Sequence, residues 1–133
     1  MKIFLDANIL FSAANESSNR RRLILKLSKQ ETLLTSQYAE QEAVRNIQLK
    51  RPQWMDGFHS LIQRVQIVPG IDRPVPVEIA DKDRPILASA IAESCDILLT
   101  GDKRDFGHLF NQKFGTLTVM TPLTLARSYT AHS

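Results

Sequence analysis

The sequence predicts an α/β fold in which helices cover both faces of a parallel sheet. Short apolar segments alternate along the chain with segments of helical periodicity, which is the pattern of strand–helix–strand units. Most of the short segments are continuously apolar, as expected of strands that are buried on both faces. The 133 residues are 43% hydrophobic and 23% charged, which suits one globular domain spanning 1–133.

Five short segments are predicted to be strands because they are apolar and rich in strand-forming residues. The first, KIFL, ends directly before Asp6, and the fourth, DILLTGD, ends in a tight turn. The five segments are 2–5, 32–36, 65–69, 96–102 and 116–122.

The segments between these strands carry helix signals. Ser36 is a predicted N-cap, Asp83 is a candidate N-cap with Pro85 in the first turn, and the stretch 73–80 is an extended connector with two prolines. A helix is also expected to begin just after Asp6. The other predicted helices cover 19–29, 37–50, 53–65, 83–94 and 123–129.

The composition limits the cellular setting. Cys95 is the only cysteine, which excludes an intramolecular disulfide and a zinc cluster built on cysteines. No stretch approaches the roughly 18 apolar residues that are typical of a membrane span. We therefore expect a cytoplasmic protein without a membrane segment.

Basic residues are concentrated in two places. The formal net charge is +3, and the positive side chains gather within 20–29 and again at Arg45, Lys50 and Arg51. This distribution suits a polyanionic partner such as a nucleic acid. Charge alone leaves open the alternative of a solvated helix face.

Acidic residues follow several of the predicted strands. Asp6 follows the first strand, Glu42 lies in the helix after the second, and Asp102 follows the fourth. Asp83 opens the helix after the connector, and Asp105 shares the face of Asp102 if a helix begins there. Ligands of open parallel sheets bind outside the carboxyl ends of the strands, so these acids are expected to converge at one edge.

Clustered carboxylates without matching Lys or Arg repel one another or take up protons. A divalent cation removes this penalty, and ligation by oxygen alone favours hard ions such as Mg²⁺ or Mn²⁺. Such ions generate hydroxide and stabilise a leaving oxygen in phosphoryl chemistry. Acidic residues with basic surroundings therefore point to phosphodiester hydrolysis.

Each acid also has a purely structural interpretation. Asp83 and Asp102 could serve only as helix N-caps, and Glu42 could be a solvated helix residue. Periodicity leaves open whether Glu40 or Glu42 points inward. Asp6 is the hardest to explain in this way, because the ends of such strands face a crevice.

Three stretches of the sequence resemble PIN-domain ribonucleases. They are FLDANIL, TSQYAEQEAVRN and DKDRPILASAIAESCDILLTGDKRDF, which together run through most of the chain. The helix RPILASA sets the register that selects Asp83 over Asp81, leaving Asp81 as an auxiliary or a turn residue. By this resemblance the metal-binding and catalytic acids are Asp6, Glu42, Asp83 and Asp102, the supporting polar residues are Asn8, Ser36 and Thr100, and Asp105 is a further carboxylate.

The resemblance implies a three-layer α/β/α sandwich around a parallel sheet of about five strands. It also implies an endoribonuclease that depends on Mg²⁺ or Mn²⁺. Small single-domain members are often toxins of the VapC type in toxin–antitoxin pairs, inhibited by a partner protein and commonly dimeric. A cognate antitoxin and a homodimer are therefore expected for this chain.

The mechanism is expected to divide the work among these acids. Our hypothesis is that Asp6, Asp83 and Asp102 hold one metal, while Glu42 reaches a second metal or the attacking water. Arginines would guide the RNA backbone through phosphate contacts that carry no sequence information. The predicted RNA-binding arginines are Arg20, Arg21, Arg22, Arg45 and Arg104.

Other functional classes fit the sequence less well. Haloacid-dehalogenase-type phosphatases need a second Asp as general acid where this chain has Asn8, which cannot exchange a proton near neutral pH. A dinucleotide-binding protein would need a Gly-rich loop after a strand, and LTGDKRDFG lacks that spacing. The alternative that stays open is a catalytically silent PIN-fold module that binds RNA or protein.

Overall fold

We describe the fold from a computed structural model, taking the backbone of residues 1–132 and the side chains of residues 1–129. The helices are α1 (Ala7–Ala13), α2 (Asn19–Gln30), α3 (Gln37–Lys50), α4 (Met55–Ile62), α5 (Arg84–Ala92), α6 (Lys103–Phe106) and α7 (Pro122–His132). The strands are β1 (Lys2–Leu5), β2 (Thr32–Ser36), β3 (Gln66–Val68), β4 (Ile97–Leu99), β5 (Lys113–Phe114) and β6 (Leu117–Met120).

The described residues form one six-stranded sheet with the order β3-β2-β1-β4-β6-β5. All neighbouring strands pair in parallel except β5, which pairs antiparallel with β6. The chain moves outward in one direction from β1 to β3 and in the other direction from β4 to β5, so the strand order reverses between β1 and β4. This switch point is where an open α/β sheet places its ligand crevice.

The central strands are covered on both faces. Ile3, Phe4 and Leu5 follow one another in β1 and are all 0% exposed, although consecutive strand residues point to opposite faces. Leu98 and Leu99 in β4 are equally buried. Helices must therefore close both sides of the sheet, which confirms the predicted three-layer α/β/α architecture.

The predicted strands are all present, with shorter bounds in three of them. The predicted helix 53–65 is replaced by a short 3₁₀ turn at Pro52–Trp54 followed by α4, which begins at Met55 and ends at Ile62. The two-residue strand β5 was not predicted. It is held against β6 by a turn at Gly115, whose φ of 66° lies in the left-handed region that glycine favours.

The helix caps follow the sequence in part. Ser36 accepts a hydrogen bond from the Ala39 N–H at 3.1 Å and so starts α3 as predicted. Asp83 occupies the N-cap position of α5 but makes no capping hydrogen bond. Among the residues that the structure describes, no helix is both long and apolar enough to cross a membrane.

Candidate functional site

A cavity of about 320 Å³ lies at the switch point of the sheet. Asp6 directly follows β1, and its backbone N–H donates to the Leu99 carbonyl of β4 at 3.1 Å, so the two strand ends are joined there. The cavity is lined by five carboxylates, those of Asp6, Glu42, Asp83, Asp102 and Asp105. The structure thus brings together the four acids predicted as metal ligands and the predicted further carboxylate.

Asp6 is only 5% exposed and is held at both carboxylate oxygens. The Ala7 N–H donates to Oδ1 and the Thr100 hydroxyl donates to Oδ2, each at 2.7 Å. Burial raises the pKa of Asp6 to about 7, although these two hydrogen bonds oppose the rise and the charges of Glu42 and Asp83 add to it. The ionised form of Asp6 therefore gains strongly from any cation that enters the cavity.

Two of the predicted supporting residues fix the position of Asp6. The Thr100 hydroxyl accepts hydrogen bonds from Asn8 Nδ2 at 3.3 Å and from the Asp102 N–H at 3.1 Å. Asn8 Oδ1 in turn accepts from the Gly101 N–H at 3.1 Å. This network ties the start of α1 to the turn after β4 and orients the Asp6 carboxylate without adding charge.

Asp83 is where the structural interpretation from sequence is wrong. Its backbone lies at the start of α5, but the side chain does not cap the helix. The residue is 8% exposed, and among the described residues no group donates a hydrogen bond to its buried Oδ2. Burial raises the pKa of Asp83 to about 6, with further increases from the charges of Asp105, Asp102 and Glu42 and a decrease from Lys82.

Asp102 caps a helix and also lines the cavity. Its Oδ1 accepts a hydrogen bond from the Asp105 N–H at 3.0 Å, which caps α6, and the side chain also lines the cavity. Asp105 Oδ2 forms an ion pair with Lys82 Nζ at 3.0 Å, and this contact lowers the pKa of Asp105. Lys82, which precedes Asp83 in the DKD motif, therefore supplies a matching positive charge to one of the five acids.

Glu42 rather than Glu40 faces the cavity. It is half-buried on α3, and burial raises the pKa of Glu42 while the charges of Lys82 and Arg45 lower it. Ser36 does not line the cavity; it supports Glu42 indirectly by capping the helix that carries it.

Asp81 stays outside the site. Its side chain is 95% exposed and pairs with Arg84 Nη1 at 2.8 Å. Arg84 also pairs with Asp72 at 2.8 Å, so Asp81 belongs to a surface ion-pair network. Asp83 lines the cavity and Asp81 does not, in agreement with the choice of Asp83 over Asp81 from the sequence.

The donor set suits a hard divalent cation, although it is not preassembled. Among the described residues, no three acidic, His or Cys side chains are grouped closely enough to form a ready set of metal ligands. Mg²⁺ is usually held by one or two carboxylates together with water and substrate oxygens, so such a grouping is not required. The unpartnered buried oxygen of Asp83 is an acceptor to which a cation could bind, and a bound cation would favour the ionised form of Asp6.

Arg21 is not available for RNA, contrary to the sequence prediction. It is 8% exposed, and its Nη1 donates to the Ala13 carbonyl at 3.0 Å and to the Gly57 carbonyl at 2.9 Å. Arg21 therefore joins α1, α2 and α4 from inside the protein. A run of three arginines does not by itself indicate which one turns inward.

The other predicted RNA-binding arginines do not line the carboxylate cavity. Arg20 is half-buried against Gly101, and its Nη1 donates to the Ser12 hydroxyl at 3.0 Å. Arg22 and Arg45 are exposed on α2 and α3. Arg104 lines a larger groove of about 970 Å³, which shares Asp105 with the carboxylate cavity.

Sequence analysis did not assign five further residues to the site, although all of them line the carboxylate cavity: Ala7, Phe11, Asn46, Lys50 and Lys82. Asn46 and Lys50 follow Glu42 at intervals of four residues on α3, so helical spacing could have found them. Phe11 follows Asn8 by three residues on α1, so the same spacing could have found it, whereas only the position of the connector brings Lys82 to the cavity.

The fold is shared with solved structures of VapBC proteins. A structure of VapBC2 from Rickettsia felis, bound to a DNA fragment from their promoter, is 20% identical with a TM-score of 0.64, covering 91% of this chain and 98% of that one. A structure of VapBC-1 from nontypeable Haemophilus influenzae is 17% identical with a TM-score of 0.60, covering 92% of this chain and 99% of that one. No protein-family model and no curated protein matches the sequence.

Proposed function

We propose that this chain is an endoribonuclease that hydrolyses RNA phosphodiester bonds with Mg²⁺ or Mn²⁺. The observation that carries the proposal is the cavity at the switch point, which five carboxylates line and in which Asp83 keeps a buried oxygen without a partner among the described residues. The shared fold with VapBC structures supports the assignment to a toxin–antitoxin nuclease.

The residues of the cavity have separate tasks in this proposal. Asp6 and Asp83 are the principal metal ligands, Asp102 adds a carboxylate beside them, and Glu42 accepts a proton from the attacking water or reaches a second ion. Thr100 keeps the Asp6 carboxylate oriented by its hydrogen bond to Oδ2. A bound divalent ion would supply Lewis acidity toward the phosphoryl oxygens and the leaving oxygen.

The proposed biological setting is a toxin–antitoxin pair in the cytoplasm. The solved structures of similar fold are VapBC proteins, and we infer by analogy a cognate antitoxin for this chain. We also propose a homodimer. Sedimentation of the purified chain alone tests the homodimer. Sedimentation after co-expression with the product of an adjacent small gene tests the complex with an antitoxin.

A cleavage assay tests the proposed activity. The purified chain should cut members of a panel of labelled RNAs in the presence of Mg²⁺ or Mn²⁺. EDTA should abolish this cleavage. Asp6→Asn should abolish cleavage while the circular dichroism spectrum is kept. Asp56→Asn is the control, since Asp56 is an exposed acid outside the carboxylate cavity.

The same assay separates a nuclease from a silent binding module. RNA binding by the wild-type chain without cleavage under any metal condition would contradict the proposal and support the binding module. Cleavage that persists in Asp6→Asn would remove the carboxylate cavity as the active site.

A further inference from the structure

The carboxylate cavity has a second, less acidic end. On α3, Glu42, Asn46 and Lys50 are spaced four residues apart and all line the cavity. A helix rises about 1.5 Å per residue, so Lys50 lies roughly 12 Å along the axis from Glu42. This stripe leads from the carboxylates to a positive charge at the end of α3.

Lys50 is a positively charged residue that lines the cavity and forms no ion pair with an acid among the described residues. Two lysines line the cavity, and Lys82 is already paired with Asp105 at 3.0 Å. Among the described residues, Lys50 forms no ion pair and the Asn46 side chain makes no hydrogen bond, although five carboxylates line the same cavity. A lysine in the last turn of a helix also interacts favourably with the helix dipole, so a matched control is needed.

Phe11 supplies an aromatic wall at the cavity. The side chain lies on α1, is half-buried and lines the cavity together with Asn46 and Lys50. Trp54 packs against the ring with centroids 5.2 Å apart and an angle of 53° between the planes. Trp54 does not line the cavity, so it holds the Phe11 ring in place from outside.

We propose that Phe11, Asn46 and Lys50 form a subsite for the RNA nucleotide next to the bond that is cut. The Lys50 ammonium and the Asn46 amide donate to phosphate oxygens, and the base stacks on Phe11. The subsite compensates for the negative charge that the carboxylates present to an incoming polyanion. This inference rests on the proposed function and gives that site its substrate contacts.

Binding measurements test the phosphate contact. We use a fluorescein-labelled single-stranded RNA that the wild-type chain cuts, with Asp6→Asn present in every variant so that Mg²⁺ does not cause cleavage. Adding Lys50→Gln should weaken binding about tenfold and reduce the slope of log K against log salt by about 0.7. Lys50→Arg should keep both values, because it keeps the charge.

The matched control is Lys29→Gln. Lys29 is also an exposed lysine in the last turn of a helix, but it lies at the end of α2 and outside the cavity. It should change affinity less than twofold. Equal effects of Lys50→Gln and Lys29→Gln, in a chain that does cut RNA, would overturn the subsite and leave the proposed function intact.

Abasic substrates test the stacking contact. In the chain with the wild-type Asp6, Phe11→Leu should lower kcat/KM about tenfold on normal RNA, because the base loses the aromatic ring on which it stacks. Two substrates carry an abasic nucleotide, one on the 5′ side and one on the 3′ side of the cleaved bond. With the substrate that lacks the base stacked on Phe11, the Phe11→Leu variant and the wild type should have the same kcat/KM. A difference that persists with an abasic nucleotide on either side would overturn the stacking role.

Discussion

Asp83 shows at the residue scale how one side chain can fit two interpretations of a sequence. Before Arg-Pro, an Asp is typical of a helix N-cap, and the backbone of α5 does begin there. The side chain nevertheless accepts no hydrogen bond from the N–H groups at the start of the helix, and its buried Oδ2 has no partner among the described residues. A buried, unpartnered carboxylate oxygen is costly, which is why we assign it to a ligand.

Burial of Asp6 and Asp83 makes the stability of the metal-free protein depend on pH. The pKa of Asp6 is raised to about 7 and that of Asp83 to about 6, both from an ordinary value of 3.8. The folded state therefore holds these protons more tightly than the unfolded state, and this contribution is fully present below about pH 4 and is lost as pH rises through 6 and 7. The melting temperature in EDTA should fall between pH 5 and pH 8.

Asp6→Asn isolates the contribution of Asp6 to this pH dependence. The melting temperature of the variant should fall less between pH 5 and pH 8 than that of the wild type, and it should be higher at pH 8. For a domain of this size, about 1 kcal/mol of added stability corresponds to roughly 3–5 °C in melting temperature. Asp56→Asn should leave the profile unchanged. A profile of Asp6→Asn that follows the wild type would contradict the buried position of Asp6.

Arg21 has a structural role that can be measured directly. Arg21→Ala leaves the carbonyls of Ala13 and Gly57 without their buried donor and should lower the free energy of unfolding by roughly 2–4 kcal/mol. The exposed neighbour Arg22→Ala should lower it by less than about 0.5 kcal/mol. Urea denaturation of both variants gives the comparison, and equal stabilities would contradict the internal position of Arg21.

At the scale of elements, the site depends on how closely α1 and α4 approach each other. A Cβ atom added to Gly57 of α4 would lie 2.2 Å from the Ala14 carbonyl oxygen that follows α1, a contact that no side chain tolerates. The same approach allows Arg21 to reach both elements and brings Phe11 of α1 beside Trp54. Glycine at this position is therefore needed for packing, independently of its backbone angles.

Gly57→Ala should separate the two elements and destabilise the protein by roughly 2–4 kcal/mol, since the contact is with rigid backbone. Gly107→Ala is the matched control, because no atom lies within 4 Å of the position its Cβ would take. Thermal denaturation of both variants tests the difference. A Gly57→Ala variant as stable as Gly107→Ala would show that α1 and α4 are not packed as described.

At the scale of the whole molecule, the sheet gathers acids from distant parts of the chain. Asp6 and Asp102 follow the two strands that flank the switch point, while Glu42, Asp83 and Asp105 come from helices that begin near the same edge. Their mutual repulsion destabilises the empty site, and a cation that binds the folded state stabilises it by mass action.

Mn²⁺ or Mg²⁺ should therefore raise the melting temperature at pH 8, and EDTA should reverse the effect. Asp83→Asn should abolish the shift, because it removes the negative charge from the buried carboxyl group. Asp81→Asn is the matched control, since Asp81 lies two residues away but on the surface and outside the cavity. A metal-induced shift that survives Asp83→Asn would place the cation elsewhere.

The sequence by itself determined five of the six strands and the largely parallel α/β architecture, and it indicated most of the acids at the switch point, while periodicity left Glu40 and Glu42 undecided. These follow from local patterns: apolar runs, helix start signals and the rule that parallel strands end at one edge. The tertiary structure decided that one buried oxygen of Asp83 has no partner among the described residues, that Arg21 turns inward, that Glu42 rather than Glu40 faces the cavity and that Lys82 pairs with Asp105. Each of these depends on contacts between elements that are distant in the chain, and such contacts leave no periodic signal in the residues that make them.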